Sequence, residues 1–273
     1  MSQPSDIIVV KLGGSIGSAP EDFCRDAASQ IRSGAKIIIV HGGSDHTNKL
    51  SEQLGHPPQF LTSPSGHTSR RTDRRTLEIM QMACRGLLNQ QIVEGLQRFG
   101  VNAIGLSGMD GRLWDAKRKP AIRAMIDGRV TVVRDDYTGT VERVNTALLH
   151  QLLAAGLTPV LSPPAIGEEH EPLNVDADRA AGQTAAAMGA GSLLLLSNVA
   201  GLLERFPDAG SIVPRIARHQ WGWAQEIAQG RMKKKVMGAT EAIIGGVGRV
   251  VIGDARGERP IKLAIAGAGS VFE

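Results

Sequence analysis

Val9-Val10-Lys11-Leu12-Gly13-Gly14-Ser15 ends a β-branched run on a lysine and follows it with a turn almost free of side chains. Such a turn presents backbone N–H groups to an anion while the lysine adds a point charge, which is the chemistry of phosphate binding. Alone, it is equally an ordinary strand-to-helix turn. A second run ends the same way, in Ile39-Val40-His41-Gly42-Gly43-Ser44. In a parallel sheet both tips fall on the carboxyl edge, where α/β proteins bind ligands. His41 reads as a packed or capping residue before it reads as a base. The sequence contains neither the Walker A pattern nor the glycine fingerprint of dinucleotide binding, and Gly267-Ala268-Gly269 is a lone, weak match. A P-loop kinase and a nicotinamide enzyme are therefore excluded.

Three further groups carry charge at positions suited to chemistry. In Arg70-Arg71-Thr72-Asp73, Thr72 or Asp73 can cap a helix, and an arginine at its mouth offers a planar fork to a carboxylate. Asn174-Val175-Asp176-Ala177-Asp178 opens an Ala-rich helix. Asp176 or Asp178 can stabilise the helix N-terminus, orient lysines or hold a metal. Gly230-Arg231-Met232-Lys233-Lys234-Lys235 starts another helix with three lysines, a pattern shared by solvated faces and phosphate sites.

The elements that must position these groups follow from hydrophobic periodicity. Ile7 to Lys11, Lys36 to Val40, Val101 to Leu106, Thr158 to Leu161, Ser192 to Leu196 and Arg249 to Ile252 read as buried strands. Between them, Pro20 to Ser33, Thr72 to Phe99, Asn145 to Ala155 and Ala177 to Met188 read as helices, each stopped by a glycine. The alternation predicts a mostly parallel sheet wrapped by helices. Ala121 to Arg134 breaks the rhythm as a hairpin around Asp127-Gly128, expected to hang over one end of the sheet as a lid or dimer-facing flap. Pro163 to Leu173 reads as a loop, and no repeat or flexible linker divides the chain. Two lobes on one continuous sheet are expected, 1–172 and 173–273.

The 273 residues include 42% hydrophobic ones, ample for a sizeable core. Without a signal peptide or a membrane-length apolar run, the chain is expected to be neither exported nor membrane-spanning. Cys24 and Cys84 sit in helix-like patterns with no CxxC, so free buried thiols and a reducing cytoplasm are expected. The net charge is +4, and basic residues cluster at Arg70–Arg75, Lys117–Lys119 and Arg231–Lys235. Nucleic acid is disfavoured, because one Tyr, three Trp and five Phe, none interleaved with those clusters, give bases no stacking platform.

VVKLGGS, IIIVHGG, SRRTD with TLEIMQM, AIGLSGMDG, LNVDAD, LLLLSNVAGLL and GRMKKKV span nearly the whole chain, and in that order they resemble the amino acid kinase family. The resemblance implies an α/β fold, a three-layer α/β/α sandwich around a mainly parallel eight-stranded sheet. The N-terminal lobe would hold the acceptor and pair as a homodimer through the helix from Thr72 to Phe99; the C-terminal lobe would hold ATP. Lys11 and Lys235 would stabilise the phosphoryl group in flight, with Asp178 holding both lysines in position. Gly13, Gly14 and Gly43 would offer backbone N–H groups to that phosphate, and Gly42 with Gly43 would lie against the acceptor. Arg70 would grip a substrate carboxylate, and Asn174 would contact its amide or α-substituents. Asn198 to Gly201, with Ala228 to Lys233 including Met232, would line the nucleotide pocket. ATP would arrive with Mg²⁺, with no metal held by the protein itself.

Two branches of the family fit best: kinases of N-acetylglutamate in arginine synthesis, and kinases of the aminoadipate route to lysine, whose substrate is linked through its amino group to a small acidic carrier protein, LysW. His41-Gly42-Gly43-Ser44-Asp45-His46 lacks the third glycine and proline usual in the first branch. Gly55-His56-Pro57-Pro58-Gln59-Phe60-Leu61-Thr62, Asp136-Tyr137-Thr138-Gly139-Thr140-Val141 and Gly230-Arg231-Met232-Lys233-Lys234-Lys235 resemble the second. A basic rim would also speed association with an acidic carrier. A carrier-linked glutamate stays open as acceptor, since one methylene changes binding by only ~1–3 kcal/mol. A nucleotide-binding regulator stays open as the non-enzyme alternative, although Lys11, Asp178 and Lys235 all match.

Overall fold

The computed structural model describes residues 6–13, 21–64, 66, 68–126 and 128–273. The readings that rest on Gly14, Pro20 and Asp127 lie outside the described residues. The chain opens with β1 (Ile7–Leu12), α1 (Glu21–Arg32), β2 (Lys36–His41) and α2 (Ser44–Gln53). A short hairpin, β3 (Phe60–Thr62) and β4 (Thr68–Arg70), leads into a helical rod made of α3 (Arg74–Gln81) and α4 (Asn89–Arg98). β5 (Ala103–Ser107) follows, then β6 (Trp114–Arg118), the hairpin β7 (Ile122–Ile126) with β8 (Arg129–Val133), and β9 (Gly139–Val144). α5 (Thr146–Ala154), β10 (Thr158–Ser162), β11 (Ala165–Ile166) and β12 (Pro172–Leu173) come next. The remainder is α6 (Ala177–Ala187), β13 (Ser192–Ser197), β14 (Arg215–Ile216), α7 (Trp221–Ile227), α8 (Arg231–Ile244), β15 (Arg249–Asp254), α9 (Pro260–Ile265) and β16 (Ser270–Phe272).

Eight strands form one sheet in the order β14-β16-β15-β13-β1-β2-β10-β5. Every neighbouring pair is parallel except β15 with β16. The strand side chains alternate between two cores. Val9, Ile38, Leu193, Leu195 and Val250 pack on one face with residues of α5, α6 and α8. Val10, Ile37, Ile39, Leu194 and Val251 pack on the other with residues of α1, α4 and α9. Because both faces are covered, the strands must be apolar throughout, which is why they were legible as β-branched runs. The result is the expected α/β/α sandwich.

Differences from the sequence reading have local causes. β14 and β16 went unread because two or three residues give no period to detect. Residues 163–173 are not merely a loop: β11 and β12 pair antiparallel and join β6 and β9 in a second, four-stranded sheet. The helix read over 72–99 is interrupted by a π-helical stretch, Met82–Leu88. The hairpin at 121–134 is present, with Ile122 opposite Val133 and Ile126 opposite Arg129. Among the described residues no helix is long and apolar enough to cross a membrane.

The central position of β1 matters for the site. Its parallel neighbours place Lys11 opposite Val40 on one side and Leu195 on the other. All three strands open their carboxyl ends toward α2, α6 and the turn after β13.

Candidate active site

Lys11, Asp178 and Lys235 meet at that edge. Lys11 leaves β1 one residue before its end, Asp178 lies in the first turn of α6, and Lys235 lies in the second turn of α8. Lys11 Nζ is 2.7 Å from Asp178 Oδ1, and Lys235 Nζ donates to Asp178 Oδ2 at 3.1 Å. Asp176, not Asp178, caps α6, accepting from the N–H groups of Asp178 and Arg179 at 3.0 and 3.1 Å. That leaves the Asp178 carboxylate free for the lysines.

Burial alone would raise the Asp178 carboxyl, but the charges and hydrogen bonds of Lys11 and Lys235 hold it well below the usual carboxylate range. Burial pushes Lys235 down, and the like charge of Lys11 adds to that, against the pull of Asp178. Two cations sharing one anion give the cluster a net positive charge in a water-poor setting. Such a fixed charge stabilises negative charge that develops beside it without solvent having to reorganise.

The glycine turns border this cluster. Gly13 does not offer its N–H to a ligand here, because that group donates to Leu196 O at 2.8 Å and extends the β1–β13 pairing. The expected role of its amide is corrected accordingly: Gly13 instead permits close approach, since a Cβ there would sit 2.9 Å from the Cβ of Ser197. Gly43 caps α2, and among the described residues no acceptor takes its N–H. A Cβ at Gly43 would overlap Cys84 Sγ, which the π-helical stretch places against the turn.

His41 is buried and fully engaged. Its Nδ1–H donates to Gly42 O at 2.7 Å, while Nε2 accepts from Asn89 Nδ2 at 3.0 Å. Burial pushes its pKa down to about 4, so the ring is neutral and structural. Both thiols are free and buried, as expected.

Gly42, Gly43, Arg70 and Asn174 line one cavity of about 580 Å³. Arg70 donates through Nη2 to Ser44 O at 3.2 Å and to Asn48 Oδ1, and its guanidinium lies 5.2 Å from the Phe60 ring centre. Its Nη1 is buried with no partner among the described residues. Arg70 thus lines the cavity as an arginine held in place by its neighbours, and a guanidinium so held suits a carboxylate. Asn174 donates through Nδ2 to Thr72 Oγ1 at 2.9 Å.

Lys119, Arg123 and Lys234 add cations to the wall, which also holds Asp176 and an Arg179 paired with Glu241. Arg123 comes from β7, so the first strand of the 121–134 hairpin contributes to the cavity wall. Lys234 reaches from α8 to Thr68 O at 3.2 Å, joining α8 to the β3–β4 hairpin. Not all the basic clusters are free rim. Arg71 pairs with Asp135, Arg74 and Arg75 pair with Glu78, and Arg118 donates to Asp136 O while stacking on Tyr137.

The residues read as nucleotide-binding lie elsewhere along the same edge. Asn198 is exposed just after β13, and Gly201 is buried where a Cβ would sit 2.7 Å from Ser270 Oγ. Met232 and Lys233 open α8, Met232 packed on the core and Lys233 exposed. Sequence reasoning missed Cys84, Lys234 and Asp136. Only the length of the helix from Thr72 hinted that Cys84 would return to the glycine turn.

Fold and cluster together define a phosphoryl-handling α/β protein, and the chain belongs to the amino acid kinase family, whose sequence model matches residues 6–254. It is 55% identical to the LysW-aminoadipate kinase of Deinococcus radiodurans, over 97% of this chain and 91% of that one. It is 54% identical to the LysW-aminoadipate kinase of Thermus thermophilus, over 97% of this chain and 99% of that one. The solved structure of carbamate kinase from Giardia lamblia bound to AMP-PNP superposes with a TM-score of 0.69 at 14% identity, covering 100% of this chain and 99% of that one.

Proposed function

We infer that this protein is an ATP-dependent kinase that phosphorylates the side-chain carboxylate of 2-aminoadipate carried on a small acidic LysW-type protein, forming an acyl phosphate in lysine biosynthesis. The observation that carries the reading is the positive Lys11–Asp178–Lys235 cluster beside a cavity whose wall carries Arg70, Lys119, Arg123 and Lys234. The two LysW-aminoadipate kinases, similar over nearly their whole length, support the same acceptor.

A carboxylate is already a nucleophile at neutral pH, so the reaction requires no general base, in keeping with a neutral, fully bonded His41. One carboxylate oxygen forms a bond to the γ-phosphorus as the bond to the β,γ-bridging oxygen breaks, and ADP leaves. Lys11 and Lys235 neutralise the charge on the transferring group; Asp178 fixes both ammonium groups and keeps them from drifting apart. Gly43 supplies an N–H, while Arg70 and Asn174 orient the acceptor. Mg²⁺ enters as part of the Mg-ATP substrate.

The lobe from residue 1 to 172 takes the acceptor in this reading, with Asn174 contributed by the lobe of residues 173–273, which takes ATP through Asn198, Gly201, Met232 and Lys233. A homodimer paired through the helical rod, in the cytoplasm, completes it; exposed Met82 and Leu87 on the rod and two free thiols support those assignments. Phosphorus NMR of the protein with Mg²⁺, ATP and carrier-linked aminoadipate tests the reading. An acyl-phosphate resonance appearing with ADP is expected; ADP and inorganic phosphate with no acyl phosphate would overturn it.

A further inference from the structure

Asp136 is 1% exposed, yet among the described residues no lysine, arginine or histidine pairs with its carboxylate. A buried carboxylate without a cation is costly unless N–H groups satisfy it. Two do: Oδ2 accepts from the backbone N–H of Thr72 and Oδ1 from that of Thr138, each at 2.8 Å. The two donors come from different segments, of which Thr138 lines the cavity and Thr72 lies buried behind it. Thr72 lies between Arg70 and the cap of α3, and Thr138 lies at the start of β9 with its own Oγ1 buried and unpartnered. Backbone bonds reinforce the junction, with Tyr137 N donating to Thr72 O and Asn174 N to Tyr137 O, both at 2.8 Å.

What this junction holds is the Thr72 side chain, which is fully buried. Its Oγ1 donates to Arg70 O at 3.4 Å and accepts from Asn174 Nδ2 at 2.9 Å. One Nδ2–H given to Thr72 holds the Asn174 amide in one orientation, and its carbonyl oxygen, which takes no donor among the described residues, is left for a ligand. An acceptor at this place in the wall suits an amide N–H, the group that every amino acid acylated on its nitrogen carries.

Resting on the acceptor reading above, we propose that Asp136 and Thr72 are positioning residues for substrate recognition: they fix Asn174 so that its carbonyl oxygen accepts the amide N–H of an N-acylated acceptor. Neither residue touches the substrate. Asp136 sets the backbone, Thr72 sets the amide, and Asn174 makes the contact.

The test uses steady-state kinetics with carrier-linked aminoadipate and Mg-ATP on the full chain. Thr72→Val keeps the shape and removes the hydroxyl. It is expected to raise KM for the acceptor about tenfold, the worth of one well-placed hydrogen bond, with kcat lowered less than KM rises and KM for ATP unchanged. Thr72→Ser restores the wild-type value. In an Asn174→Ala background Thr72→Val adds nothing, because the residue it positions is gone. Asp136→Asn is expected to show the same split, since one of its two N–H partners then faces an NH₂ group; if that variant does not fold, the Thr72 series decides alone. An unchanged acceptor KM in Thr72→Val, a parallel rise for ATP, or additivity with Asn174→Ala overturns the assignment while leaving the kinase reading intact. A wild type that turns over neither carrier-linked aminoadipate nor N-acetylglutamate sinks both, and does so before any variant is made.

Discussion

Asp178 carries a lysine on each oxygen, and among the described residues neither lysine has another anionic partner. Lys11→Ala or Lys235→Ala should lower kcat by on the order of 10²–10³, the usual cost of removing one preorganised charge from a transition state. Asp178→Asn should act differently. Lys235 is already pushed down by burial and by Lys11, with Asp178 pulling it back up. Without that anion it loses its proton more readily, so the alkaline limb of the kcat–pH profile should move to lower pH; an unmoved limb would mean the aspartate does not hold Lys235 charged. His41 gives a prediction about stability. Burial, then the nearby charges of Lys11, Arg85 and His46, push its pKa from 6.5 down to about 4, against the pull of the Gly42 carbonyl. The unfolded chain then binds more protons than the folded one between those values, so stability falls as pH drops from 6.5 toward 4. The loss is on the order of 3 kcal/mol when complete. Denaturant titrations at pH 7 and 4.5 should show a smaller difference for His41→Gln than for the wild type.

At the scale of elements, the decisive contact is between the turn after β2 and the π-helical stretch of the rod. Gly43 is extended, with φ −174°, so its backbone would accept any residue; it is the Cys84 sulfur that forbids a Cβ. Gly43→Ala should therefore displace the turn and lower kcat. Cys84→Ala should restore much of the loss, because the added Cβ would then meet Cys84 Cβ at an ordinary 3.6 Å. No rescue would mean that the glycine is required for room on the ligand side instead. This pairing shows where sequence legibility stops. The glycine turns, the strand tips and Lys11 were legible because each belongs to a local pattern repeated at a sheet edge, whereas Lys235 and Asp178 took their roles only from the family's motifs. Cys84, Asp136 and Lys234 act across long separations, and nothing in their immediate neighbours marks what they will touch. A π-helical turn has no pattern of its own, so the helix reading over 72–99 recovered the rod and missed the feature that places Cys84.

At the scale of the whole molecule, the both-sides-apolar strands made the sandwich legible, and the family's motifs in order made its layout legible. The docking face was only half so. The Lys117–Lys119 cluster reads as three equivalent cations, yet Arg118 is tied to Asp136 and Tyr137, which leaves Lys117 exposed and Lys119 at the cavity. Charge reversal should therefore be confined to Lys117→Glu with Lys119→Glu. It is expected to raise KM for the carrier-linked acceptor, with an effect that shrinks as salt rises, and to leave KM for ATP alone. An unchanged acceptor KM would remove both lysines from the docking face. The most direct test of the central claim is an ATP- and Mg²⁺-dependent hydroxamate assay comparing carrier-linked aminoadipate, free N-acetylaminoadipate and free N-acetylglutamate. Acyl phosphate trapped from the carrier-linked substrate alone is the predicted result; trapping from free N-acetylglutamate with none from the carrier-linked substrate would contradict it.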